Sequence, residues 1–271
     1  MNYHDIPALN ASGINAFYRS PLHYWVKSPF NPARERSEPT TAMVMGSLAH
    51  CLVLQPEAFE SEFAVAPELD RRTKQGKIDW ETFQSNASNK MIVTPSQYVD
   101  ATKMRDAMFA NKAVAKLLGN GCSEHPVRWN RDEYGIPCKA KLDYLRSGLL
   151  IDYKTTEDGS MKGFSRSLAN YGYYRQMAWY MEAAEVAYGE RPRGAVLIVQ
   201  EKSLPEAIGI YSLDVESLEL GAQECDFAYR EITERLQSGE WGAYPEKIQE
   251  IRLPVWFMKE RFENMEERSY V

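Results

Sequence analysis

The sequence predicts a mixed α/β fold, with a central sheet flanked by helices. Three observations predict it. Strand candidates succeed one another at "HPVRWN" (125–130), "IPCKAKLDYLR" (136–146) and "GLLIDYKTT" (148–156). A further run, "RGAVLIVQ" (193–200), is apolar throughout, as a strand covered on both faces is, and a helical stretch separates it from the first three. Helical patterns also stand before and after the group. Helices, three strands, a helix and a strand pack most simply as helical layers on one sheet.

Local signals justify each element in turn. "LNASGINAFYRSPLHYWVKSP" (9–29) reads as a helix with Ser12 as N-cap, because Ile14, Phe17 and Tyr18 recur at helical spacing. Pro21 ends that helix or starts a second one. "TTAMVMGSLAHCLVLQP" (40–56) reads as a buried helix closed by Pro56, with Met45, Leu48, Ala49 and Leu52 as its apolar stripe. Residues 66–94 are polar, basic at their start and carry Gly76, which predicts a long mobile loop with a short helix around Trp80. An amphipathic helix is expected over 95–119, opening at Pro95-Ser96 and stopping at "GNG". Turns are expected at "RDEYG" (131–135) and at Ser147-Gly148. Residues 160–188 read as helical and rich in tyrosine, "AIGIYSLD" (207–214) as an edge or antiparallel strand, and 214–238 as a long helix. The whole of 1–271 reads as one domain, with the basic loop at about 66–94 and a C-terminal extension at about 239–271.

Composition narrows the function classes. At 44% apolar and 26% charged residues the balance is that of a soluble globular protein. No apolar run approaches the roughly 18–20 residues of a membrane span. "MNYHDIPALN" has neither a basic nor an apolar signal region, so the cytoplasm is expected. Cys51, Cys122, Cys138 and Cys225 fit neither a zinc site nor an iron–sulfur run, and free thiols suit a reducing compartment. The net charge of −6, from 32 basic and 38 acidic residues, argues against a non-specific DNA coat but leaves room for clustered basic groups beside a carboxylate site.

The chemistry lies in the second and third strand candidates. Strand side chains alternate faces, so Cys138, Ala140, Leu142 and Tyr144 share one face, and Lys139, Lys141 and Asp143 the other. In "LLIDYK", Leu150, Asp152 and Lys154 share a face, which places Asp152 and Lys154 roughly 6–7 Å apart along the strand. A hairpin through Ser147-Gly148 brings Asp143 close to Asp152. Two carboxylates on a half-buried face repel and lose hydration, and a divalent cation removes that penalty. Mg²⁺ takes hard oxygen ligands, commonly one or two carboxylates with water and substrate phosphate. A nearby lysine could activate the attacking water or stabilise developing charge, which suits phosphodiester hydrolysis. The plain alternative is a solvated strand edge with a surface ion pair.

Five segments together resemble the PD-(D/E)XK nuclease superfamily. They are "SGINAFYRSPLHYW", "GSLAHCLVL" with His50, "CKAKLDY" with Asp143, "IDYKTT" with Asp152 and Lys154, and "YYRQMAWY" with Gln176 and Tyr180. Within the superfamily they are most similar to the RecB-like branch that includes exonuclease VIII, the RecE-type exonucleases of prophages. The resemblance covers most of residues 10–200 and implies a restriction-endonuclease-like core. It implies that Asp143 and Asp152 are metal ligands, that the carbonyl of Tyr153 is a third, and that Lys154 is the catalytic lysine. His50 would serve as ligand or water-positioning group, and Gln176 and Tyr180 would face the site from the following helix. Residues four apart do share a helix face, with Tyr173 on the same side. Several of the aromatic residues in that helix would simply pack the core, and a histidine in an apolar helix also suits a core role. Glu124, ahead of the first strand of the site, is a secondary candidate for the metal shell, since a charged residue beside a turn is commonly just solvated. The pattern departs from the family at Leu142, where a proline gives the superfamily its name, and Ser20 stands where cluster-binding relatives carry cysteine, so no iron–sulfur cluster is expected.

The function that this resemblance implies is that of an Mg²⁺-dependent exodeoxyribonuclease, with Mn²⁺ as substitute, degrading linear duplex DNA from the 5′ end to leave 3′ overhangs for strand annealing. The resemblance further implies double-stranded DNA ends as substrate, a homo-oligomeric ring (trimer or tetramer), a single-strand annealing recombinase as partner, no membrane, and a phage or prophage gene in a bacterial host. DNA contacts are expected from Arg71, Arg72, Lys74 and Lys77, which gather around Gly76, and from Lys141, Tyr173 and Arg175. Lys139, Lys162 and Arg166 extend that basic rim. Two other readings stay open: a single-strand-specific or endonucleolytic enzyme of the same superfamily, and a non-catalytic DNA-binding module on the same fold.

Overall fold

The computed structural model describes residues 3, 6–34, 38–132 and 135–269. The first helix, α1 (Ala11–Arg19), is capped by Asn10 and not by Ser12: the Asn10 side chain accepts the Gly13 N–H at 2.8 Å. Ser20 is extended, ends α1 and caps α2 (Pro21–Lys27), where Pro21 has no N–H to leave unpaired. The next helix, α3 (Thr41–Leu54), stops short of Pro56 as the sequence predicts, and a turn and α4 (Phe59–Glu62) lead into β1 (Phe63–Val65).

The stretch expected to be a long loop carries a full helix, α5 (Lys74–Asn86). Thr73 caps it by accepting the Gly76 N–H at 3.0 Å. Only Gly76 of α5 is buried, so periodicity of apolar residues gives no signal there. The strand β2 (Met91–Val93) then pairs in parallel with β1. The single helix expected over 95–119 is two, α6 (Pro95–Ala110) and α7 (Lys112–Leu117). Asn111 is extended between them and its side chain accepts the first free N–H groups of α7, from Ala113 and Val114.

The central sheet contains β3 (Cys122–Trp129), β4 (Cys138–Arg146), β5 (Leu149–Thr156), β6 (Gly194–Glu201) and β7 (Ile208–Ser212), in that order. Neighbours are antiparallel except β5 and β6, which are parallel. The parallel pair needs a crossover, supplied by α8 (Met161–Asn170) and α9 (Tyr173–Tyr188), which break at Gly172 with φ +64°. The β4–β5 hairpin turns at Ser147 (φ +47°) and Gly148 (φ +72°), the two left-handed residues that a two-residue hairpin favours. The turn expected at "RDEYG" includes Glu133 and Tyr134, which lie outside the described residues. Two further helices, α10 (Val215–Ser238) and α11 (Val255–Ser269), complete the chain. Among the described residues no helix is long and apolar enough to cross a membrane.

Both faces of the sheet are covered. Cys138, Ala140, Leu142, Leu150, Leu197 and Val199 pack with α1, α9 and α10. Ile151, Tyr153 and Ile198 pack with α3 and α6. The expected alternation along β4 breaks at Asp143: Leu142 joins the first layer but Tyr144 joins the second. The Tyr144 hydroxyl fixes that switch by donating to the Leu118 carbonyl at 2.7 Å and accepting the Gly121 N–H at 2.8 Å.

Candidate active site

The break at Asp143 marks a fork in the sheet. β4 and β5 pair only where Tyr144, Leu145 and Arg146 face Ile151, Leu150 and Leu149. The next pair in register would be Asp143 and Asp152, but there β4 stays with β3 while β5 continues along β6 out to Thr156. The freed N–H of Tyr153 donates instead to the Asp143 carboxylate, at 3.0 Å to Oδ2. A buried backbone donor thus holds a buried carboxylate at the fork.

The helical layer on one side supplies one half of the site. Asp152 is wholly buried, and its Oδ2 lies 2.5 Å from the Lys154 ammonium. That close ion pair is what engages Oδ2. Gln176, on α9, reaches Asp152 Oδ1 at 3.4 Å and donates to the Tyr180 hydroxyl at 2.9 Å. The four-residue spacing of Gln176 and Tyr180 makes this possible. Lys154 Nζ sits 5.1 Å from the centre of the Tyr173 ring, a cation–π distance.

The other layer supplies His50 from α3. Its Nδ1 stands 3.6 Å from Asp143 Oδ2 and 3.9 Å from Glu124 Oε1. Glu124 lies on β3 with φ +52°, a left-handed conformation inside a strand. Such strain, costing about 1–3 kcal/mol, collects at functional sites. Lys141 forms an ion pair with the other oxygen of Glu124. One ligand atom each from His50, Glu124 and Asp143 lies within 4.8 Å of the other two. One nitrogen and two carboxylates, beside the buried carboxylate of Asp152, are a donor set that fits a divalent cation.

The electrostatics express surplus negative charge. Burial, and then the neighbouring Asp152, push the Asp143 carboxyl well above the usual carboxylate range. Burial alone would lower the His50 imidazole, but Asp143 and Glu124 outweigh it and raise its pKa. Lys154 likewise resists burial, because Asp152 and Asp143 hold it as an ammonium above its ordinary pKa. Glu124 is lowered despite its burial by His50 and Lys141. Burial raises Tyr180 well above an ordinary phenol, so it stays protonated at neutral pH. Without a cation, Asp143 and His50 favour protons; a cation at the trio would take their place.

His50, Asp143, Asp152, Tyr153, Lys154, Gln176 and Tyr180 therefore converge on one fork, and Tyr173 flanks it. Lys141 lies at the same place but is engaged with Glu124. Arg175 does not face outward as expected. It is buried, donates to Asn15 Oδ1 at 2.8 Å, and pairs with Glu224 at 2.8 Å. It stands one position before Gln176, about 100° round the helix, and so points away from the fork. Lys139 is also buried, with Nζ donating to the carbonyls of Tyr3 and Ile6. Around α5, Arg72 pairs with Asp70 at 2.9 Å and Arg71 lies over Trp80 at 4.5 Å, while Lys74 and Lys77 are exposed. Arg166 lies over Trp256 at 4.8 Å. Glu124 is the member of this group that a reading by strand alternation underrates; the pairs on either side of it, Ser123 with Tyr144 and His125 with Leu142, put it opposite Asp143.

A family model described as a PDDEXK-like domain of unknown function (DUF3799) matches residues 11–254. Among solved structures, the chain is similar to one from Eubacterium rectale described as "Putative exonuclease", with a TM-score of 0.60 over 93% of this chain and 92% of that one. The two sequences are 13% identical, so the likeness is one of fold. No curated protein matches the sequence.

Proposed function

From the premise that this chain belongs to the PDDEXK-like domain family DUF3799, we propose that it is a metal-dependent exodeoxyribonuclease. The observation that carries this reading is the fork itself: His50, Glu124 and Asp143 converge on one point, and the Asp152–Lys154 ion pair stands beside it. Nothing in folding calls for three carboxylates at the parting of two strands. The neighbour from Eubacterium rectale, sharing the fold, supports the same class.

The metal would be held by His50, Glu124 and Asp143, with Asp152 and the Tyr153 carbonyl as further ligands. Mg²⁺, or Mn²⁺ in its place, would supply Lewis acidity for a phosphodiester oxygen and for an attacking water. The chain does the rest. Lys154, kept as an ammonium by Asp152, offers its charge to the phosphate as negative charge builds there. Gln176 keeps Asp152 turned toward the lysine, and the protonated Tyr180 fixes Gln176. Tyr173 gives Lys154 an aromatic wall.

The substrate in this reading is linear duplex DNA, degraded from the 5′ end to leave 3′ overhangs. The five segments that resemble the RecE-type, exonuclease VIII branch support it. So do the exposed Lys74 and Lys77 of α5, with Arg71 nearby, as phosphate contacts. A ring of three or four copies, and a single-strand annealing partner, belong to the same proposal. The test is digestion of linear, nicked and closed circular duplexes carrying 5′ or 3′ labels, with Mg²⁺, Mn²⁺ or EDTA. Metal-dependent release of the 5′ label from linear duplex alone is expected. Cutting of closed circles would make the protein an endonuclease, and inertness with every divalent cation would overturn the enzymatic reading.

A further inference from the structure

Tyr153 enters the proposed site through its backbone, but its side chain carries more information. Its hydroxyl donates to Gln200 Oε1 at 2.6 Å. Gln200, on β6, is wholly buried and in turn donates from Nε2 to the Met104 carbonyl of α6 at 2.9 Å. The Tyr153 ring lies against the His50 imidazole, with centroids 4.8 Å apart and planes inclined by 31°. The same residue's N–H holds Asp143. One side chain and its own peptide therefore touch two of the three groups that could share a cation.

We propose that Tyr153 and Gln200 are positioning residues that fix His50 for metal binding; the inference rests on the metal site of the proposed function. Their surroundings are apolar: Ile151, Ile198, Met104 and Met108 pack the same layer. A phenylalanine and a methionine would fill the space without burying a hydroxyl and an amide, and such exchanges are often neutral for stability. What the polar pair adds is direction. An anchored hydroxyl stops the ring from turning, and the ring is the floor on which His50 rests. Partners behind metal ligands typically change affinity by about 10–100-fold when removed. The arrangement also ties α6, through the Met104 carbonyl, to a ligand on α3.

Three variants separate positioning from mere packing: Tyr153→Phe, Gln200→Met, and the two combined. Mn²⁺ binding is measured by titration calorimetry on the full chain, and thermal melts are taken in EDTA. Each single variant leaves a buried polar partner unpaired, so each is expected to melt lower and to bind Mn²⁺ about 10-fold more weakly or worse. The double variant removes both polar groups, so its melting temperature is expected to recover while its Mn²⁺ affinity stays low. Recovery of both quantities would assign the pair a structural role only and overturn the inference. Unchanged affinity in Tyr153→Phe would do the same. If the wild-type chain takes up no Mn²⁺, the metal site itself falls and takes this inference with it, a result distinct from either of the others.

Discussion

Two clusters of charge lie on either side of α9, and they are built on opposite rules. On one side Arg131 pairs with Glu182 and, at 3.4 Å, with Asp226, and lies over the rings of Trp179 and Tyr229. Glu182 also accepts the Trp129 indole N–H at 2.7 Å. Next to it Arg175 pairs with Glu224 and lies over Tyr18, and the Tyr174 hydroxyl donates to Glu224 at 2.6 Å. Both guanidinium groups there have a carboxylate and an aromatic wall. At the fork the balance fails: Glu124, Asp143 and Asp152 face Lys141, Lys154 and an imidazole, and Asp143 has only His50 and a peptide N–H as close partners among the described residues. A network that serves the fold neutralises itself. At the fork burial, and then the neighbouring Asp152, leave the Asp143 carboxyl raised, as groups at functional sites often are.

The sharpest way to break this contrast is to remove Lys154. If the fork is catalytic, Lys154→Ala should lower the rate of metal-dependent DNA hydrolysis by about 10²–10⁴-fold, the range of a positioned acid–base or charge-stabilising group. Single-turnover digestion of end-labelled duplex measures it. A rate within about threefold of wild type would mean that the ion pair is structural, like those across α9.

Glu182→Gln tests the other cluster. It leaves the Arg131 guanidinium, flanked by aromatic rings, with only the longer pairing to Asp226 at 3.4 Å. A loss of about 1–3 kcal/mol of stability in urea melts is expected, with Mn²⁺ affinity unchanged. A loss of metal affinity instead would show that the two clusters are coupled and that the contrast is false.

Asp143→Asn should do the reverse, raising the stability of the metal-free chain while abolishing metal binding. The folded-state pKa of Asp143 stands above its unfolded value of about 3.9. Protonated Asp143 therefore supports the fold fully below that unfolded pKa, and the support is lost as pH rises through the folded one. Melting temperatures in EDTA should fall for the wild type as pH rises from 4 to 8, and fall less for Asp143→Asn. Each kcal/mol reads as about 2–4 °C for a chain of nearly this length. Parallel curves for the two proteins would remove the claim of surplus charge at the fork.

Which of these groups can be seen in the sequence has a physical explanation. Asp152 and Lys154 are legible because alternation along a strand is strict, whereas Gln176 and Tyr180 are singled out by the family resemblance, with which their four-residue helical spacing agrees. The mixed sheet and its hairpin turn are legible in runs of apolar residues and in Ser147-Gly148. Glu124 is hard to rank because its left-handed backbone breaks the alternation that makes its neighbours readable. The inward turn of Arg175 depends on Asn15 and Glu224, which lie 160 and 49 residues away and leave no local trace. The helix α5 is written in a cap, Thr73, and not in an apolar stripe.

That helix supplies the smallest effect and the last test of the contrast. Lys74 and Lys77 are exposed on α5, outside both clusters. Exposed charges contribute little to stability, so Lys74→Ala combined with Lys77→Ala should leave the melting temperature within about 1–2 °C. If they meet DNA phosphates, each released counterion adds to the salt dependence of binding, and the slope of log K against log salt should become shallower by about 0.9 per lysine. The affinity loss should be modest, the same for every sequence, and larger at low salt. A change in hydrolysis rate at saturating DNA would place these lysines in the chemistry and blur the contrast. An unchanged slope would remove α5 from the DNA path altogether and leave the fork between β4 and β5, with its unbalanced carboxylates, as the place where charge serves function and not the fold.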